Sequence, residues 1–92
     1  MDREGIFELI NQERIRQITK WGTEQSFISA YRKAFGTEGL DYYLCQKAVV
    51  LTEEVGEVAR AIQEADLQHI KDELVQVAAV CVAMMEGLSE KL

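Results

Sequence analysis

The chain has 92 residues, of which 10 are basic and 16 acidic, and it carries a net charge of −6 at pH 7. A chain of this length makes one small domain, here residues 1–92, and its negative charge argues against a protein that coats the backbone of a nucleic-acid polymer. No apolar stretch reaches the length of about 18 residues that spans a bilayer, so no membrane partner is expected.

The first predicted element is a helix from Asp2, which suits an N-cap, to Trp21, with Gly22 placed to end it. Its polar side carries three cations: Arg14, Arg16 and Lys20. These cations are either solvated or face an anionic ligand. Trp21 either anchors the core, which is the commoner role of a lone tryptophan, or stacks on the ring of a ligand.

A shorter helix is predicted over residues 27–35, where aromatic and aliphatic side chains recur at helical spacing. Gly36 is placed to close this helix, and Gly39 then breaks the chain again. Asp41 is placed to cap the helix that follows.

Two long amphipathic helices occupy the stretch from Leu44 to Met85, because apolar residues recur there at helical spacing on both sides of residues 64–66. Helices joined by so short a connection lie side by side and antiparallel. The predicted fold is therefore an all-α antiparallel helical bundle, with two long C-terminal helices, an N-terminal helix and a short helix.

Acidic and amide side chains follow the apolar stripes of both long helices. Glu54 and Glu57 lie about 60° and about 120° to one side of the first stripe, and Glu73 and Gln76 have the same offsets from the second. Both pairs are centred about 14 Å from the turn, and reversing one helix brings equal offsets to the same side. We therefore expect three carboxylates and one amide to meet at one place beside the core.

Crowded carboxylates at the edge of a core repel one another unless a positive charge lies among them. All-oxygen ligands suit Mg²⁺, with Mn²⁺ possible, and such a site is commonly completed by substrate phosphates. Alternatively, these residues are an ordinary solvated face, or lysine and arginine side chains neutralise them. Lys47, two turns before Glu54, either points at a phosphate or neutralises the acidic cluster.

Every residue from Val77 to Met85 is apolar, so the last helix must be covered on more than one side. This pattern favours a homo-oligomer, a dimer or tetramer in which the bundle becomes larger. The alternative is a compact monomer in which residues 27–35 fold over the exposed side.

Two features bear on the compartment. Charged residues occupy positions 2–4, where the apolar run of a signal peptide would begin. Cys45 and Cys81 lie within helical patterns and are expected to be reduced and buried. Together these features favour the cytoplasm.

The segment Glu53–Glu57, EEVGE, followed by Glu73 and a polar residue three positions later, resembles the EExxE and ExxD motifs of the MazG-like family. This family is one of the all-α nucleoside triphosphate pyrophosphohydrolases. Residues 12–25, which include Lys20-Trp21-Gly22, resemble the opening of some MazG-like chains. The resemblance covers nearly the whole chain.

The resemblance implies Mg²⁺-dependent cleavage of a nucleoside triphosphate between its α and β phosphates, giving a monophosphate and pyrophosphate. It implies that metal is held by four residues: Glu54, Glu57, Glu73 and Gln76. Gln76 stands where the family has aspartate, and an amide oxygen can ligate Mg²⁺ but brings no charge. Glu53 is the expected catalytic residue, which holds a second ion or orients the attacking water. The expected substrate-binding residues are Lys20, Trp21 and Lys47.

Two other functions remain open at this point. A non-catalytic dimerisation or nucleotide-sensing module would keep the bundle and tolerate the missing charge at Gln76. A phosphoribosyl-ATP pyrophosphohydrolase-like enzyme is a related alternative, although the Lys20-Trp21-Gly22 opening fits MazG-like chains better.

Overall fold

The computed structural model describes residues 1–89, and its four α-helices confirm the predicted bundle. The helices are α1 (Arg3–Trp21), α2 (Glu24–Phe35), α3 (Gly39–Gln63) and α4 (Leu67–Leu88), with a 3₁₀ turn at Gly36–Glu38. Within this described part there is no strand. None of its helices is apolar over a length that would cross a membrane.

Local hydrogen bonds explain where α1 and α2 begin and end. The Asp2 carboxylate accepts from the Gly5 amide at 2.8 Å and starts α1, while Gly22, with φ of 97°, ends it, as predicted. The Thr23 hydroxyl accepts from the Ser26 amide at 3.2 Å. This cap starts α2 at Glu24, three residues before the apolar pattern begins, because a capped turn needs no apolar side chain.

The start of α3 differs from the prediction. Gly39 does not break the chain but is the first residue of α3, and Asp41 lies in the first turn instead of capping the helix. A Cβ on Gly39 would stand 2.5 Å from the Cα of Arg32 in α2. The glycine is therefore needed for the close approach of two helix backbones.

α3 and α4 form the hairpin predicted from their short connection. Ala65 turns the chain with φ of 56°, and the Asp66 carboxylate caps α4 by accepting from the His69 amide at 3.1 Å. α2 packs across both helices, and α1 packs along α4. The fold is elongated, with extents of 45 × 26 × 24 Å.

The core is built largely from small side chains, which let the helices approach closely. Its buried apolar residues are Ile28, Tyr43, Ala61, Ala79, Val80 and Ala83. α4 contacts all three other helices, including α2. Met85 is nevertheless 60% exposed, and oligomerisation stays a prediction.

The two cysteines are free thiols. Cys81 is half-buried, but Cys45 is exposed, so the prediction that both are buried is wrong for Cys45. Cys45 lies on the face of α3 that neither α2 nor α4 covers, and periodicity alone does not show how wide the covered face of a helix is.

Candidate active site

Glu54 of α3 and Glu73 of α4 lie side by side, as their equal offsets predict. Burial is the largest of the causes that raise the pKa of Glu54. The further causes, in decreasing order, are the charge of Glu73, a hydrogen bond with the Glu73 side chain, and the charges of Glu57 and Glu53. The carboxylates of both long helices therefore meet at one edge of the bundle, which we call the acidic edge (Glu53, Glu54, Glu57 and Glu73).

The outer members of the acidic edge also contact basic groups. A Glu57 carboxylate oxygen lies 3.6 Å from the Arg60 guanidinium, and its side chain is 41% exposed. A Glu73 oxygen lies 3.3 Å from His69 Nε2. With the side chains in these positions, residues 1–89 contain no group of three acidic, histidine or cysteine side chains that could hold a metal ion.

Gln76, the fourth expected ligand, lies one turn further along α4. Its side-chain oxygen accepts a long hydrogen bond, 3.5 Å, from the Gln17 amide of α1. The Gln76 side chain also helps to lower the pKa of Glu13, although the Arg16 side chain is the main cause of that shift. Gln76 therefore connects the acidic edge with α1.

A pocket of about 310 Å³ opens beside Glu54 and Gln76, and all four helices contribute to its wall. Two of the three expected substrate-binding residues, Trp21 and Lys47, line this pocket. Lys20 does not line it, and its ammonium lies 4.8 Å from the centre of the Trp21 ring. Helical rotation explains this, because a residue adjacent to Trp21 points about 100° away from it.

Trp21 is not a core anchor. Trp21 is the last residue of α1 and is 63% exposed. Its indole is therefore available to a ligand in the pocket, and the core-anchor interpretation is wrong.

Lys47 does not pair with the acidic edge. Its ammonium lies 2.8 Å from a carboxylate oxygen of Glu24, and the Lys47 side chain is only 19% exposed. Arg16, which sequence reasoning left unassigned, also lines the pocket and donates to Glu13 at 2.9 Å. Arg16 on α1 and Lys47 on α3 thus face the same space as Glu54.

A buried polar network was not predicted. Arg14 and Glu24 are 4% and 3% exposed, and both line the pocket. Arg14 donates to both carboxylate oxygens of Glu86, at 3.0 and 2.6 Å, and the Tyr43 hydroxyl donates to Glu24 at 2.6 Å. The prediction that Arg14 lies on the polar side of α1 is wrong, because Arg14 is buried. The available signal was its position one turn from both Ile10 and Ile18, which belong to the apolar pattern of α1.

Paired carboxylates on neighbouring helices, beside a pocket with cationic and aromatic walls, define a site suited to a phosphate-bearing ligand. Residues 46–91, which include the whole acidic edge and Gln76, match the family model of the MazG nucleotide pyrophosphohydrolase domain. The match covers half of the 92 residues, and the chain belongs to this family. No curated protein and no solved structure matches the chain.

Proposed function

We propose that the protein hydrolyses a nucleoside or deoxynucleoside triphosphate to the monophosphate and pyrophosphate, with Mg²⁺ as cofactor. The observation that carries this proposal is the approach of Glu54 and Glu73 beside a pocket lined by Lys47 and Trp21. The carboxylates on one wall of the site favour a bound metal ion. On the other wall, Lys47 offers a positive charge and Trp21 an aromatic ring to a nucleotide. Membership of the MazG family supports the same reaction.

The donors at the acidic edge suit a hard divalent ion by their chemistry, and in this proposal Glu57 turns from Arg60 to join them when the ion binds. They are all oxygens, and the raised pKa of Glu54 reflects a site where a negative charge is unfavourable without a nearby positive one. In this proposal the ion is held by Glu54, Glu57, Glu73 and Gln76. When bound, Mg²⁺ polarises phosphate oxygens and lowers the pKa of a coordinated water, and Mn²⁺ is an acceptable substitute.

The remaining residues bind and orient the substrate. Lys47 and Arg16 face the negatively charged phosphates, and Trp21 stacks on the base. Glu53, which is exposed and adjacent to Glu54, orients the attacking water and accepts its proton. The water oxygen forms a new bond to phosphorus as the α–β anhydride bond breaks. Lys20, whose ammonium lies 4.8 Å from the centre of the Trp21 ring, adds positive charge beside that ring.

The test is pyrophosphate release from a panel of ribo- and deoxynucleoside triphosphates, with and without Mg²⁺. Glu57→Gln keeps the size of the side chain but removes a ligand charge, so we expect it to abolish release while helical content is unchanged. Glu8→Gln is the matched control, because Glu8 is an exposed glutamate on α1 that contacts Gln12. Turnover that persists in Glu57→Gln contradicts the assignment of the acidic edge.

We also propose a homodimer or homotetramer in solution. Apolar side chains on the long helices remain exposed, including Val55, Ile62, Leu74 and Met85 at 51%, 57%, 51% and 60%. Exposed apolar residues in such numbers on a small bundle favour association. Light scattering at micromolar concentration measures the mass, and a monomer mass would overturn this inference.

A nucleotide-sensing module without catalysis is the second candidate, and Gln76 is the observation that favours it. Its amide brings no charge to the acidic edge and contacts Gln17 of α1. In this case the wild type binds nucleotide without releasing pyrophosphate, and Gln76→Asp, which adds the missing charge, restores release. An active wild type excludes this candidate.

A further inference from the structure

The cation that faces the pocket from α3 is held by a carboxylate from another helix. Lys47 lies 2.8 Å from Oε1 of Glu24, which is on the first turn of α2. Glu24 is 3% exposed, yet it lines the pocket together with Lys47. A carboxylate so deeply buried is retained only where it has partners, so its position depends on the groups around it.

Glu24 is itself fixed by the most buried large side chain of the core. Tyr43 is 1% exposed, and its hydroxyl donates to the same Oε1 atom at 2.6 Å. Burial first, and then this hydrogen bond, raises the pKa of Tyr43, so the phenol stays protonated and remains a donor. Arg14 is further away, at 3.9 Å from Oε2. The close contacts of Glu24 are therefore with Tyr43 and Lys47.

The tip of the Lys47 side chain also lies near two aromatic rings. The ammonium lies 5.7 Å from the centre of the Phe27 ring and 5.9 Å from that of Tyr43. A lysine ammonium has three N–H donors, and Glu24 uses one of them. The other two remain for a ligand in the pocket.

We propose that Glu24 is a positioning residue. It holds the Lys47 ammonium at the pocket wall, so that the ammonium is already ordered when the phosphates of the nucleotide bind. This inference rests on the proposed function. A flexible lysine loses rotamer freedom when it binds an anion, whereas one already anchored loses less, so the anchor improves binding of the phosphates. Glu24 touches neither the metal nor the reacting phosphorus in this account.

The experiment compares Glu24→Gln with Glu86→Gln. Both changes replace a carboxylate of the same buried network by an isosteric amide, but Glu86 bonds to Arg14 and is not on the pocket wall. We expect Glu24→Gln to raise KM for the triphosphate about tenfold with a much smaller change in kcat, because a charge-assisted hydrogen bond is weakened. We expect Glu86→Gln to lower the melting temperature but leave KM unchanged. Equal increases of KM in the two variants would show a general loss of stability and overturn the proposal.

Two further measurements do not depend on turnover. In the wild type, NMR of the lysine ammonium groups should show slow rotation and slow proton exchange for Lys47, and a freely rotating Lys47 would overturn the proposal even if Glu24→Gln does not fold.

Binding of inorganic tripolyphosphate should weaken about tenfold in Glu24→Gln. If the wild type binds tripolyphosphate but hydrolyses no triphosphate, the proposed function fails while the positioning role stands. Equal binding by wild type and variant overturns the positioning role alone.

Discussion

Gly87 of α4 lies directly against the hydroxyl of Tyr43. A Cβ at this position would stand 2.8 Å from the Tyr43 oxygen and 3.1 Å from Cδ1 of Ile28. Neither neighbour can move freely, because both are buried and the Tyr43 hydroxyl bonds to Glu24. Because Gly87 has no side chain, the Tyr43 hydroxyl has the space to donate its hydrogen bond to Glu24.

Gly87→Ala should accordingly destabilise the protein. Overpacking of a core costs about 1–3 kcal/mol, and the higher helix propensity of alanine returns at most about 1 kcal/mol. The measurement is the urea midpoint. Gly56→Ala is the matched control within a helix, because nothing lies within 4 Å of the new Cβ, and it should raise the midpoint. The expectation fails if both variants shift the midpoint in the same direction.

The pairing of Arg14 with Glu86 joins α1 to α4, and the chain depends on it for stability. Removing one partner of a buried ion pair costs about 3–5 kcal/mol, and we expect Arg14→Met to cost roughly 2–3 kcal/mol because solvent screens part of the interaction. The Glu86 side chain is 37% exposed, which is the reason for the smaller value. The double variant Arg14→Met/Glu86→Leu should recover part of the loss, since no charge is then left unpaired. A double variant that is less stable than either single one would contradict this account.

Glu54 should make the metal-free protein less stable as the pH rises. Burial, followed by the charge and hydrogen bond of Glu73, raises the pKa of Glu54 above its ordinary value of 4.5. The folded state then binds this proton more readily than the unfolded chain, so the free energy of unfolding falls from about pH 4.5 up to the raised pKa and levels off above it.

The check is the difference between wild type and Glu54→Gln in denaturant titrations across this pH range, since groups away from the acidic edge titrate equally in both. Glu54→Gln should lack the decrease and be the more stable protein at neutral pH without metal. Millimolar Mg²⁺ should raise the melting temperature of the wild type and have little effect on Glu54→Gln. A wild-type melting curve that is unchanged by Mg²⁺ would count against a metal site.

Trp21→Ala should weaken substrate binding with little effect on folding. The residue is 63% exposed, so its removal leaves no buried cavity, whereas loss of base stacking is worth about 1–3 kcal/mol. We expect KM to rise by roughly 5- to 150-fold and the melting temperature to change little, with Trp21→Phe retaining most of the affinity. An unchanged KM would place the base elsewhere in the pocket.

The sequence by itself determined which segments are helical and the pairing of Glu54 with Glu73 at the acidic edge. Three helix ends are fixed by hydrogen bonds to residues three or four positions away, at Asp2, Gly22 and Asp66. Such hydrogen bonds form wherever the helix forms. The meeting of Glu54 with Glu73 also follows from local rules, because one helical period and one short turn set both offsets. These features needed no knowledge of how α1 and α2 pack.

Only the tertiary structure decided what surrounds that edge. Arg14 and Glu86 are 72 positions apart in the sequence. Lys47 pairs with Glu24, although Glu54 is nearer in the sequence, because α2 crosses α3 at that level. The exposure of Trp21 likewise depends on where α1 ends relative to the other helices. Periodicity shows which face of a helix is apolar, but not which helix covers it or how far. The partners of buried charges are therefore set by packing between helices, and local pattern does not contain them.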